Sequence, residues 1–245
     1  MYLLWILSVF AIAAATAGSR VKMEIEERHE NGWNFEHEGL LETDNGKWKK
    51  EEDSQPLQKR EVLTIATVVA AGATSIGSLS IIADKIGSAD RKIAIDIENL
   101  GPNKWESVKT YFFSGTSDKV LPQYVPAKKA LIYTARKTSG AAAGAVGVVS
   151  LYIPKERLTL SVLFSVPYDQ NLYPANYWNV KIYRGRKVPN YDTYNDLYYK
   201  FNPYKGDHSW QQKGLGWCYI VNGVMTDSGT AALKVVIKKG IGCDK

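Results

Sequence analysis

The chain has 245 residues, a formal net charge of +6, 45% hydrophobic and 23% charged residues, two cysteines and three histidines. That is the balance of a globular protein rather than of a disordered tail. Two cysteines are too few for a disulfide-built scaffold or a structural zinc site, and no HExxH helix, nucleophile elbow or phosphate loop is present, so no metal, cofactor or enzymatic site is expected.

Met1–Ala17 reads as a secretory signal peptide, with LLWILSVFAIAAA as its apolar centre and Ala15-Thr16-Ala17 as a small-x-small cleavage site. As a membrane anchor the run is short for ~30 Å of hydrocarbon. Residues 18–60 are polar and acidic (MEIEERHE, EHEGLLETD, EEDSQ) and end at Lys59-Arg60, a dibasic pair of the kind processing proteases cut. Residues 1–60 carry 8 Lys/Arg against 11 Asp/Glu, which leaves 23 against 14, a net of +9, for residues 61–245. An acidic segment joined to a basic domain at a dibasic site reads as a propeptide that masks the domain; a plain acidic linker is the other reading. Residues 61–245 are the right size for one domain.

The domain opens with EVLTIATVVAAGATSIGSLSIIADKI (61–86). Val62, Ile65, Val69, Ile76, Leu79 and Ile86 recur at spacings of three, four and seven, which predicts one apolar stripe along an amphipathic helix. Fully helical, the segment would reach ~39 Å, more than the ~30 Å of a bilayer core. Gly72, Gly77 and many β-branched residues weaken that helix in water. A helix docked on a sheet and a helix crossing a membrane are therefore expected of different states of the same segment.

From Lys92 onward, KIAIDI, ESVKTYFF, KKALIYTA, AVGVVSLYI, LTLSVLFSV, WNVKIY, GWCYIVNG and AALKVVIKK alternate with Gly, Pro, Asn and Asp turn signals. Many short strands at such spacing predict a mainly β chain folded as a β-sandwich. Within it FSVPYDQNLYPANYWNVKIY (164–183) gathers Tyr168, Leu172, Tyr173, Tyr177 and Trp178 about Pro167 and Pro174, which interrupt any helix or central strand, so much of it is surface loop. YDTYNDLYY (191–199) lacks strand alternation; on a helix Tyr191, Tyr194 and Tyr198 share a face, with Tyr199 beside them. His29 and His37 fall in the acidic segment, leaving His208, whose neighbours Asp207 and Ser209 cannot form a triad on their own. Cys218 and Cys243 pair in an oxidising compartment, closing a loop of about 25 residues for ~3 kcal/mol; free thiols or a bond between chains are the alternatives.

Taken together, SVPYDQNLYPANYWNVKIYRGR, YNDLYY, NPYKGDHSW, AIDIEN, TYFFSGTSDKVLP and GAVGV resemble, in order, the actinoporins, the pore-forming cytolysins of sea anemones. The likeness covers essentially all of residues 61–240. It implies a β-sandwich flanked by two α-helices, the N-terminal one detachable. It implies a secreted nematocyst toxin that binds phosphocholine headgroups, above all of sphingomyelin, inserts its N-terminal helix and assembles with its own copies into a cation-permeable, haemolytic pore on the target cell. Nucleic acid is not an expected partner. Carried over by position, the headgroup pocket is Ser114, Val146, Ser165, Pro167, Tyr194, Tyr198 and Tyr199. Electron-rich ring faces can box a quaternary ammonium and serine hydroxyls can reach phosphate oxygens. Tyr168, Leu172, Tyr173, Tyr177 and Trp178 then form the docking surface, since such rings favour the membrane–water interface. Arg91 and Lys92 form a basic hinge near the headgroups. Lys205-Gly206-Asp207 stands where the family has Arg-Gly-Asp and reads first as a turn. Leu172 replaces a common tryptophan and Phe113 a position that is often basic. A non-lytic lectin-like or lipid-binding module on the same fold is the competing reading.

Overall fold

In β3 (Lys92–Asn99), the clean alternation of KIAIDI predicts one wet face, yet every residue from Lys92 to Asn99 is buried. The reason is a second layer. Ile93, Ile95 and Ile97 point into the space between two sheets, while Ala94 joins Ile132 and Ala232 beneath Leu79 and Ala83 of a helix on the outer face.

The computed structural model describes residues 64–169 and 171–240. Ahead of β3 lie β1 (Thr64–Ile65), β2 (Thr67–Ala70) and α1 (Ile76–Asp84). After it come β4 (Trp105–Ser114), β5 (Lys119–Val120), β6 (Tyr124–Val125), β7 (Lys129–Arg136), β8 (Ala145–Ile153), β9 (Leu158–Val166) and β10 (Tyr177–Arg184). Next are α2 (Tyr191–Asn195), continued as a π-helical turn (Asp196–Lys200), and then β11 (Tyr204–Lys205), β12 (Gln211–Gly216), β13 (Tyr219–Met225) and β14 (Thr230–Lys239). One six-stranded sheet runs β11-β10-β9-β8-β4-β6 and the other β12-β13-β14-β3-β7-β2, with a separate β1-β5 pair. The two six-stranded sheets are antiparallel except where β14 runs parallel to β3, and the β1-β5 pair is parallel. Their inner faces meet in one core that includes Trp105, Phe164, Trp178 and Leu233. This is the sandwich that the strand pattern predicts, with the two flanking helices that the resemblance implies.

The opening segment departs from expectation. It is not one amphipathic helix: Thr67–Ala70 pairs with β7, Val69 opposite Ala130, and Ile65 pairs with Val120. The cause is local. The run TIATVV is β-branched and prefers extended backbone, and Gly72 turns the chain at φ +80°, a value that few side chains tolerate. Only the following nine residues form a helix, started by Ser75, whose hydroxyl accepts the amide of Ser78 at 3.1 Å. Of the expected stripe, Leu79 is sealed in, Val69 and Ile76 pack at the margin of that cluster, and Ile65 is 67% exposed. Val62 lies outside the described residues, as do the signal, the acidic segment and Cys243. Cys218 is disulfide-bonded. Among the described residues no helix is long and apolar enough to cross a membrane.

A polar knot fastens the turn before α1 to the sheet. The Gly72 amide donates to Glu98 Oε1 at 2.8 Å, Thr74 Oγ1 donates to Asp96, and Lys234 Nζ donates to the Thr74 carbonyl at 2.7 Å and to Asp96 at 3.0 Å. Lys234 also pairs with Glu98. Burial raises the Asp96 pKa, with the Thr74 and Lys234 hydrogen bonds opposing it. Lys92 closes the other end of α1. Its ammonium donates to the Asp84 and Gly87 carbonyls at 3.1 Å each, so it caps the helix and is buried rather than offered to lipid as a hinge cation.

Candidate headgroup site

Strand register builds the floor of the site. Ser114 on β4 lies opposite Val146 on β8, Val146 opposite Ser165 on β9, and Ser165 opposite Tyr177 on β10. Positions far apart in the chain thus fall in one row across four neighbouring strands. The helix supplies the roof. Asn190 starts α2 with a capping box, its side chain accepting the Thr193 amide at 3.0 Å, and Tyr194 and Leu197 then pack onto Val146, Val148 and Leu163.

Between row and helix opens a cavity of about 270 Å3. Ser114, Val146, Ser165, Pro167, Tyr194, Tyr198 and Tyr199 all line it, so the seven positions expected of a headgroup pocket converge on one space. Their rings are mutually close. Centroids are 5.4 Å apart for Tyr194–Tyr198 and 4.8 Å for Tyr198–Tyr199, and Tyr194 meets Tyr199 edge-on at 6.2 Å. The three are not equivalent. Tyr194 is a wall only 3% exposed, whereas Tyr199 is 59% exposed at the mouth. Burial first, then the neighbouring phenols, drives the Tyr194 pKa strongly upward; burial pushes Tyr198 up to about 12. Both hydroxyls therefore stay neutral donors at physiological pH, which suits them to a phosphate oxygen. Ser114 Oγ is already engaged, donating to the Gly144 carbonyl at 3.3 Å and accepting its amide at 3.1 Å, so it ties the 142–144 loop to β4.

Phe113, marked in the sequence only as a departure from the family, also lines the cavity, as do Ala142–Gly144 and Asp169, which the sequence reading passed over. Phe113 stacks on Tyr194 at 4.4 Å and 10°. Simple alternation would send it to the face opposite Ser114; a register irregularity between Phe112 and Ser114 turns it back, and a bulge leaves no plain mark in sequence. Asp169 had a signal, standing two residues past Pro167. Its carboxylate accepts the Asn171 amide at 2.8 Å and lends negative charge to the mouth.

The docking surface is smaller than expected. Leu172 is 74% exposed, Tyr168 and Tyr173 are about half exposed and Tyr177 is half-buried. Trp178 is fully buried and does not belong to it. With β10 starting at Tyr177, alternation turns Trp178 inward, against Tyr204 at 5.0 Å and into space left by Gly223, where a Cβ would come within 2.3 Å of the indole. Arg91 is half-buried and engaged by the protein itself. Its guanidinium donates to the Pro167 and Tyr168 carbonyls at 3.0 Å each, joining the start of β3 to the rim of the cavity. Gly206 donates to the Asn176 carbonyl at 2.8 Å and Asp207 accepts the Ser209 amide at 3.0 Å, while Lys205 stands exposed. His208 pairs with Asp227 at 2.9 Å on the surface.

The family described as sea anemone cytotoxic protein is matched over residues 63–239. The chain belongs to it. DELTA-actitoxin-Aas1a of Anthopleura asiatica is 43% identical over 192 residues, 78% of this chain and 89% of that protein. The deep-sea actinoporin Cjtox I of Cribrinopsis japonica is 44% identical over 181 residues, 74% and 81% of the two chains. Cytolysin tenebrosin-B of Actinia tenebrosa is 39% identical over 192 residues, 78% and 87%. Among solved structures, that of the lipid binding protein Nakanori shares the sandwich at a TM-score of 0.52 and 13% identity, covering 66% of this chain and 77% of that one. Pore-forming cytolysis is the activity that this membership carries, and the tyrosine-lined cavity of this cytolysin is its candidate point of contact with lipid.

Proposed function

We propose that this cytolysin docks on choline-phosphate headgroups, those of sphingomyelin above all, through the cavity between Ser114 and Tyr199. A quaternary ammonium fits against the faces of Tyr198 and Tyr199, each contact contributing ~0.5–2 kcal/mol, with Asp169 adding charge attraction. The phosphate meets the neutral phenol hydroxyls. Tyr168, Leu172 and Tyr173 sink into the interface, where a ring or leucine gains more than in water. The segment up to Ile86 then leaves the sheets and lengthens into the helix its apolar spacing allows, and several copies close a cation-permeable pore. Such a protein is made as a secreted venom component, released from its acidic segment at Lys59-Arg60.

The convergence of seven separated residues on one cavity beside exposed aromatic and leucine side chains carries this reading. The test is dye release from sphingomyelin-containing vesicles by protein processed after Arg60. Absence of release at every protein-to-lipid ratio would end it. One observation favours a second reading, a lipid-binding module that does not lyse: residues 64–70 are hydrogen-bonded into strands rather than poised as a helix. Removal of residues 61–85 separates the two. Binding kept and leakage lost supports insertion; leakage unchanged rejects it.

A further inference from the structure

Strand β12, at the edge of one sheet, and β10, which β11 covers only at Tyr177 and Trp178, meet at a seam that shares no lining residue with the tyrosine cavity. A second cavity of about 300 Å3 opens there, lined by Val180, Lys181, Phe201, Lys213, Gly214 and Leu215. Its two charged walls have the same sign and come from opposite sheets. Lys181 Nζ sits 3.3 Å from the Phe201 ring centroid and 4.8 Å from that of Tyr183. Lys213 Nζ donates to Asn179 Oδ1 and lies 5.5 Å from the Tyr204 ring centre. Amide oxygens and ring faces are neutral partners. Among the described residues neither ammonium has a carboxylate at ion-pair distance, and Asp196, the acid acting on Lys181 from further off, is paired with Lys200 at 2.9 Å. Lys187 adds a third cation 4.2 Å from the Tyr183 ring centre. The Tyr183 hydroxyl, on the ring that Lys181 and Lys187 both approach, is buried with no partner. Burial, then the charge of Lys181, pulls the Lys213 pKa down to about 8.

Two like charges facing one space without an anion are costly, and an ordinary fold relieves the cost with a carboxylate. Here the space is left open instead. We propose that the Lys181–Lys213 cavity is a site for a tetrahedral dianion, a phosphate monoester or sulfate. Such a group neutralises both ammonium groups at once, which a carboxylate cannot, and its several oxygens can accept from both lysines. The same chemistry is presented by a free phosphate or sulfate ion and by a lipid whose headgroup is a bare phosphate.

The test follows the lysine side-chain ammonium signals by NMR while the protein is titrated with sodium sulfate, against sodium chloride at equal ionic strength. Saturable shifts of Lys181 and Lys213 in sulfate alone, with exposed Lys155 unmoved, are expected. Lys213→Gln should weaken binding roughly tenfold, as loss of one charge-assisted hydrogen bond does, and Lys213→Arg should retain it. A second arm measures binding to phosphatidylcholine vesicles with and without phosphatidic acid. A larger loss for Lys181→Gln/Lys213→Gln than for the charge-matched control Lys109→Gln/Lys155→Gln identifies the lipid phosphate as the ligand. Saturable sulfate binding without that excess identifies the free ion. Equal shifts in chloride, or sulfate shifts that the substitutions leave unchanged, together with vesicle binding that falls no further than in the control, would overturn the site.

Discussion

Individual side chains divide the cavity between binding and building. Tyr198 shows a ring to the space while Tyr194 is packed under Phe113. Tyr198→Ala should therefore weaken attachment to sphingomyelin vesicles roughly tenfold with little change in melting temperature, since a cation–π wall is lost at the margin of the core. Surface plasmon resonance on supported bilayers checks it, and equal affinity would refute the cage. Trp178 is the counter-case. Its removal would act through the core, at ~3–5 kcal/mol of stability, and not through lipid contact. Lys213 belongs to the same scale. Its folded pKa of about 8 lies below the ordinary 10.5, so between those values the unfolded chain holds more protons and stability rises with pH. Allowing for its partial exposure, Lys213 should add about 2 kcal/mol of stability from pH 8 to 10, and none below. Urea unfolding at both pH values, compared with Lys213→Met, isolates the effect; a variant with the same pH slope as the parent would disprove it.

At the level of elements, the question is what must break before the leading segment can move. Residues 64–70 are paired to β5 and β7, the turn at Gly72–Thr74 is knotted to Glu98, Asp96 and Lys234, and α1 is held by its apolar face and by Lys92. Helix α1 is about 14 Å long at 1.5 Å per residue, so insertion demands refolding of the preceding strands and not simple detachment. A disulfide across the Val69–Ala130 pair, made by Val69→Cys and Ala130→Cys, should abolish dye release while sparing vesicle binding. Reductant should restore release, with the parent protein in reductant as reference because Cys218 is itself disulfide-bonded. Release from the oxidised variant at the parent rate would exclude movement of this strand. The same segment marks where the sequence was ambiguous. Apolar spacing at Ile65, Val69, Ile76 and Leu79 is compatible with a helix, yet the β-branched residues ahead of Gly72 prefer a sheet edge once one is available, and periodicity contains no term for that edge. The strands themselves were legible, because alternation and turn residues act locally. The pocket list came from motif likeness, and the row Ser114–Val146–Ser165 explains why such scattered motifs belong together. Phe113 and the inward turn of Trp178 depend on a bulge and on where β10 begins, one residue either way reversing the face.

For the whole molecule, charge is the remaining lever. Residues 61–245 carry a net +9, while the stretch before them holds 11 acidic against 8 basic residues. Basic charge near an anionic surface contributes ~1 kcal/mol per well-placed residue, and an acidic segment on the same chain competes for it within a Debye length of ~8–10 Å. The acidic segment also ends immediately before the residues proposed to enter the membrane. Both effects point the same way: the chain with its acidic segment should lyse vesicles less than the chain cut after Arg60. They differ in salt response. Electrostatic masking fades as ionic strength rises, so the gap should narrow between 0.05 and 0.5 M salt (roughly threefold in screening length), whereas obstruction by attached chain persists. Measured on vesicles of sphingomyelin and phosphatidylserine before and after cleavage at Lys59-Arg60, a gap that closes with salt assigns the inhibition to charge, and one that holds assigns it to the tethered segment. Equal potency at every salt concentration would remove the inhibitory role altogether and leave residues 18–60 as a linker.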